Sequence, residues 1–232
     1  MNPTDKLIQK FQLAPLPGNV QRLGKLIQGG FAQNADEIAA LIKADAALSA
    51  QVIAVAQRKR NVEMEVEQAV MRLGVTAITL VVMSELLMNA VTKTFSTMLN
   101  APLEKREELF EHVEEILGSI RFSGRASGQV FLRVPATCGA WMIGRFLGEE
   151  SVPEDPTEML GDVVGELLNI VAGNFKSNLC DAGLNCDLSV PSIVRRMGFK
   201  PEVGEDQHHQ LMAFLTDGLP VFLDLVITPV SA

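Results

Sequence analysis

"GDVVGELLNIVAGNFK", residues Gly161 to Lys176, is apolar enough for a buried helix, yet it carries acidic, amide and glycine residues at regular intervals. At about 100° per residue, Asp162, Glu166, Asn169, Gly173 and Lys176 fall within about 40° either side of one line along the helix axis. Val163, Val164, Leu167, Leu168, Ile170, Val171, Phe175 and Leu179 take the other side, which predicts a core-facing surface. Simple solvation would account for a polar stripe, but a solvated stripe is normally filled with good helix formers. This one holds Asn169, with Gly165 and Gly173 alongside, and each glycine costs about 1 kcal/mol relative to alanine. The expected result is a low ridge that another molecule's backbone can approach, with one carboxylate and one carboxamide projecting from it.

On either side of this helix the chain changes character. Residues 1–100 hold ten Lys/Arg against eight Asp/Glu, and residues 101–232 hold ten against twenty. The asymmetry places an expected boundary near residue 100 and argues against nucleic acid, since phosphate binding needs clustered positive charge. The first hundred residues show only helical punctuation: "NADEIAALIKAD" offers Asn34 and Glu37 as a capping box, Asp45 can cap "AALSAQVIAVAQ", and Thr76 opens a long apolar helix. An all-α module of about five helices is expected over 1–100. The apolar run from Val75 to Val91 is short for a membrane span and contains Ser84, Glu85 and Asn89, which predicts a buried helix rather than a membrane segment.

Beyond Asn100, "LEKREELFEHVEEILGSI" has the spacing of an acidic amphipathic helix, "GQVFLRV" alternates as a strand, and "ATCGAWMIGRFLG" is helical again. An acidic loop, "EESVPEDPTE", leads into the striped helix. Three strand candidates close the chain, "CDLSVPSIVR", "HHQLMAFLT" and "VFLDLVIT", the last two joined by the hairpin signal Asp217-Gly218. The fold class expected for 101–232 is α+β, with helices packed on a mainly antiparallel sheet. In that sheet "VFLDLVIT" could form an edge or lie inside.

Several chemistries are missing. No histidine precedes His112, so the helical half lacks the paired His and Asp ligands of a metal phosphohydrolase. His208 and His209 are adjacent in a predicted strand and point to opposite faces, which disfavours a shared metal site. Cys138, Cys180 and Cys186 show no CxxC spacing, so neither a disulfide framework nor zinc is indicated, and a reducing, cytoplasmic setting is expected. No P-loop, dinucleotide turn or nucleophile elbow occurs, and Trp141 reads as a packing residue.

Asp162, Glu166, Asn169 and, after twenty-one further residues, Pro191 form a spaced pattern that resembles the signature of the CheC/CheX family of chemotaxis phosphatases. "GDVVGELLNIVAGNFKSNL" with the later "LSVPSIV" looks like CheX in particular, and the likeness runs from about Leu103 to the C-terminus. The resemblance implies a phosphatase acting on the aspartyl phosphate of a CheY-like receiver. Glu166 would ion-pair with the receiver's lysine and Asn169 would orient the attacking water. Asp162, Gly165, Gly173, Lys176 and Pro191 would support or contact the partner. The receiver would bring the Mg²⁺, with no cofactor bound by this chain. A CheC would carry the motif twice, but the segment after Leu103 has no asparagine in step, so a single site is expected. The resemblance to CheX also implies a homodimer through the sheet. The alternative is an adaptor that binds a receiver through the same helix face without hydrolysis.

The helical half has its own likeness. "LAPLPGNVQRLGKLI", "IAALIKADAALSAQVIAVAQ" and "VEQAVMRLGVTAITLVVMSEL" resemble the first part of an HDOD domain from about Leu13 to Met88. Ala46 stands in place of the family's usual proline and Gln57 in place of an asparagine. This implies a truncated, catalytically silent regulatory or interaction module.

Overall fold

The computed structural model describes residues 15–57, 65–106, 114–125, 127–148 and 157–228. Four helices lie among the described residues before position 100: α1 (Pro17–Gln28), α2 (Ala35–Ala44), α3 (Ala46–Gln57) and α4 (Val66–Met98). Asp45 caps α3 as its position predicts, its Oδ1 accepting from the Ala47 and Leu48 N–H groups at 3.1 and 3.2 Å. Its Oδ2 accepts from Leu16 N and Asn19 Nδ2, both at 3.0 Å, which ties α3 to the start of α1. Burial pushes the Asp45 carboxyl up, but the hydrogen bonds from Asn19, Leu16, Leu48 and Ala47 outweigh it and hold the group below its ordinary value.

The Asn34–Glu37 capping box does not form. The Asn34 amide instead donates to the carbonyls of Leu26 and Gly30, closing the α1–α2 turn, while Glu37 pairs with Arg22. The long helix begins ten residues earlier than Thr76 but is broken at Gly74, whose φ of 70° and ψ of −178° only glycine adopts readily. By length and composition α4 could cross a membrane, yet 61% of its apolar window is buried in the protein.

Seven strands make one sheet in the order β1-β6-β7-β3-β2-β4, with β5 also paired to β2, and every pairing is antiparallel. The strands are β1 (Glu104–Arg106), β2 (Glu114–Gly124), β3 (Gly128–Pro135), β4 (Cys186–Leu188), β5 (Ser192–Met197), β6 (His208–Thr216) and β7 (Leu219–Ile227). Between β3 and β4 lie a short 3₁₀ turn, α5 (Gly139–Leu147) and α6 (Thr157–Asp181).

The helix expected after Leu103 is therefore corrected. Residues 104–106 and 114–124 are strands, and the intervening 107–113 fall outside the described residues. Ile116, Ile120 and Phe122 bury one face of β2 while Leu117 buries the other, so this interior strand lacks the alternation that marks a half-exposed one. "CDLSVPSIVR" is likewise two strands rather than one. β4 pairs with β2 at Phe122–Gly124 and β5 pairs with it at Ser119–Glu114, with Pro191 in the gap, where it has no N–H to give a ladder. Most of the acidic loop before α6 lies outside the described residues. The Asp217-Gly218 hairpin forms as expected, with φ values of 48° and 79°, and β7 is interior, between β6 and β3.

The sheet's first face carries Ile116, Gly118, Ile120, Val130, Leu132, Leu223 and Leu225 and packs against α6. A Cβ on Gly118 would lie 3.0 Å from Leu168 Cδ2 and 3.3 Å from Val164 Cγ1, so glycine lets helix and strand close together. Phe122 and Phe175 meet edge to face at 5.7 Å. The second face carries Leu117, Phe131 and Val226 beneath Phe199. Beside them is a charged cluster in which Arg133 bridges Glu115 at 2.8 Å and Asp224 at 3.3 Å, both carboxylates being almost wholly buried.

The chain forms two compact units. One comprises the N-terminal helices to Leu86 with Asn178–Asn185, and the other Leu87–Ser177 with Cys186–Pro229. The division between these compact units runs through α4 and α6.

Candidate functional site

The striped helix is α6. Its apolar side is buried largely as the periodicity predicts: Val163, Val164, Leu167, Leu168, Val171, Phe175 and Leu179 are in the core, whereas Ile170, expected there too, is only half-buried. Asp162, Glu166, Asn169 and Gly173 are exposed on the opposite side. Glu166 and Asn169 lie one turn apart, so both side chains leave the same flank of the helix.

The asparagines of α6 divide sharply by environment. Asn174 Nδ2 donates to Thr94 Oγ1 at 3.2 Å, and Asn178 Nδ2 donates to the Leu86 carbonyl at 3.0 Å. Both serve packing. Among the described residues nothing partners Asn169, Glu166 or Asp162. A free carboxamide can donate and accept at once, and a free carboxylate can take a cation supplied from outside.

The two glycines play different parts. Gly173 faces open space, with nothing within 4 Å of a Cβ placed there. Gly165 instead lies against Ile193 of β5, where a Cβ would meet Ile193 Cγ1 at 3.5 Å, and Gly161 faces the same side chain at 3.7 Å. The stripe is therefore flanked by the outer strand of the sheet. Lys176 is half-buried and pairs with Asp187 of β4 at 3.4 Å, so its charge is already partly answered. Pro191 sits half-buried between β4 and β5, next to Ser189, whose Oγ accepts from Arg121 N at 3.0 Å.

His209, on β6, is half-buried. Its Nε2 lies 2.6 Å from Asp224 Oδ1, which attaches it to the Glu115–Arg133–Asp224 cluster. Asp224 inside the apolar run "VFLDLVIT" was the available signal for a buried charge. Its partners come from β2, β3 and β6, so they could not be read locally. Trp141 is half-buried and donates from Nε1 to Asp217 Oδ2 at 3.1 Å. Cys138 and Cys186 are buried and Cys180 is exposed, none of them in a disulfide, and burial pushes the Cys138 thiol up to about 11. Among the described residues no group of three His, Cys, Asp or Glu side chains could hold a metal ion.

Residues 116–214 match the family model described as chemotaxis phosphatase CheX, and residues 13–109 match that of the HDOD domain. The chain carries an HDOD match followed by a CheX match, each over less than half of its length. The HDOD match runs past Met88, so the likeness does not stop where the motif reading ended it. Among curated proteins none matches the chain significantly.

Solved structures share the fold over roughly three fifths of the chain. A CheC-like superfamily protein from Shewanella sp. PV-4 has 22% identity and a TM-score of 0.55, covering 63% of this chain and 97% of its own. Chemotaxis protein CheX from Vibrio vulnificus has 20% identity and a TM-score of 0.55, covering 62% and 95%. The CheX–CheY–BeF₃–Mg²⁺ complex from Borrelia burgdorferi aligns at 19% identity and a TM-score of 0.50, covering 63% and 97%. Asp162, Glu166, Asn169 and Pro191 all fall inside the matched CheX segment.

Proposed function

We propose that this chain hydrolyses the aspartyl phosphate of a CheY-like receiver, with Glu166 and Asn169 as the residues that complete the receiver's own active centre. The observation that carries this reading is the free, exposed Glu166–Asn169 pair, one helical turn apart, inside the segment that matches CheX. The partner class is supported by the Borrelia CheX solved with CheY.

An acyl phosphate is intrinsically reactive, and its loose transition state mainly needs a positioned water and charge stabilisation. The Asn169 carboxamide accepts from the water and fixes the direction of its lone pair toward phosphorus, without needing a pKa near neutrality. The Glu166 carboxylate takes the receiver's lysine and so fixes the helix against the phosphorylated pocket. Mg²⁺ belongs to the receiver. Asp162 at the stripe's first turn and Lys176 at its last bound the contact, while Gly173 lets the partner's backbone approach. The protein works in the cytoplasm, as a homodimer, in chemotaxis or a related two-component circuit, and the HDOD domain regulates or selects the partner.

The test is phosphate loss from purified phosphorylated receivers of the same organism, with and without the full chain. Acceleration that disappears in Glu166→Ala or Asn169→Ala supports the proposal, whereas binding without turnover identifies an adaptor instead.

A further inference from the structure

Among the described residues nothing partners Glu166 or Asn169, so their aim is set by the seating of α6 itself. The apolar side of the helix fixes its height above the sheet, and a brace on the flank sharpens its rotation about the axis. Asp187 of β4 touches that flank through Lys176 at 3.4 Å, but its side chain is 94% exposed, and an exposed ion pair holds little. Ile193 of β5 is the firmer brace. It faces three glycines from two elements: a Cβ would meet it at 3.2 Å on Gly118 of β2, and at 3.5 Å on Gly165 and 3.7 Å on Gly161 of α6. Over Gly118 it joins the helix's own anchors, since the same Cβ would lie 3.0 Å from Leu168 Cδ2 and 3.3 Å from Val164 Cγ1. Gly165 and Leu168 directly precede Glu166 and Asn169 in the chain.

We infer that Ile193 is a positioning residue for the Glu166–Asn169 pair, wedged between β2 and α6 so that carboxylate and carboxamide leave the ridge at a fixed angle. The inference rests on the reading that this pair acts on a receiver's aspartyl phosphate. Two properties suit Ile193 to the role. A β-branched side chain has few χ1 states, so it is a stiff wedge. Glycine at all three contacting positions brings backbone, rather than another movable side chain, against it. Glycine also weakens α6 as a helix, and close seating against β5 accounts for it at Gly161 and Gly165. The chemistry makes the seating matter, because a displacement of ~1 Å in a positioned group can cost about a hundredfold in rate.

The experiment measures phosphate loss over a series of phosphorylated CheY-like receiver concentrations with the full-length chain. In parallel, residual dipolar couplings of the α6 amides report the helix's orientation on the sheet without any receiver. Ile193→Ala lowers kcat by roughly tenfold, leaves KM close to wild type and alters the couplings. Ile193→Val, which keeps the Cγ atoms facing Gly161 and Gly165, restores most of the rate. Phe199→Ala, which loosens the opposite face of the sheet, changes neither kcat nor the couplings. If Ile193→Ala does not fold, Ile193→Leu takes its place, since it keeps the volume but has no Cγ2 to meet Gly161.

An unchanged kcat in Ile193→Ala overturns the inference and leaves the hydrolysis proposal standing. An equal fall in Phe199→Ala overturns it too, because lost stability rather than the seating of α6 would be responsible. A rise in KM alone does the same and would make Ile193 a receiver contact. If wild type accelerates no receiver, the hydrolysis proposal falls and the couplings decide the rest: a reoriented α6 in Ile193→Ala upholds the brace, and unaltered couplings remove it.

Discussion

At the scale of single residues, environment rather than residue type separates the exposed stripe from the packing residues on α6. Asn174 and Asn178 are tied by hydrogen bonds, whereas Asn169 is exposed and free, as is Glu166. Removing an unpartnered exposed side chain costs the fold little, so Glu166→Ala and Asn169→Ala are expected to stay within about 0.5 kcal/mol of wild type by urea unfolding and to lose accelerated phosphate release. Gly173 allows a second check. A Cβ there meets nothing, and glycine is a poor helix former, so Gly173→Leu should stabilise the protein by several tenths of a kcal/mol while obstructing receiver docking. Thermal unfolding and receiver titration would read the two effects separately. The polar stripe was legible in the sequence because helical period alone generates it. The contact of Gly165 with Ile193 was not, because that partner lies beyond the helix end and across a turn.

At the scale of elements, β2 shows where reading by pattern fails. Its apolar residues satisfy helical spacing, and an interior strand covered on both faces offers no alternation to contradict it. β6 and β7 were legible almost to the residue because a two-residue turn with Asp217 and Gly218 fixes their pairing. The charged cluster of β2, β3 and β7 makes a sharp prediction. Arg133 holds Glu115 and Asp224, both almost wholly buried, and these carboxylates with desolvation opposing them keep the guanidinium's proton above its ordinary value. Arg133→Met leaves Glu115 buried without its cation and Asp224 with only His209, and should cost about 3–5 kcal/mol in urea unfolding. Asp45, at the cap of α3, gives a pH test. Its folded pKa lies below the unfolded value of about 3.9, so its contribution is fully present above that value and is lost as pH falls through the folded pKa. Asp45→Asn should flatten the fall of stability below about pH 4. An unchanged acid limb would show that another carboxylate controls it.

At the scale of the whole molecule, charge and punctuation suggest a boundary near residue 100, while the two compact units divide within two long helices. Leu87–Leu99 groups with the sheet unit, and Thr94 within it accepts from Asn174 of α6. A fragment starting at Leu87 should therefore unfold at higher urea than one starting at Ala101, and equal midpoints would place the working boundary at the charge change. Family-model matches place an HDOD-like segment ahead of a CheX-like one, and the central claim concerns the second. Its most direct measurement is phosphate loss from a panel of phosphorylated receivers, with wild type and the Glu166→Ala/Asn169→Ala double variant in parallel. Accelerated loss from at least one receiver by wild type, with the double variant no faster than the receiver alone, is the predicted result. Acceleration that survives the double substitution, or none with any receiver, would contradict it.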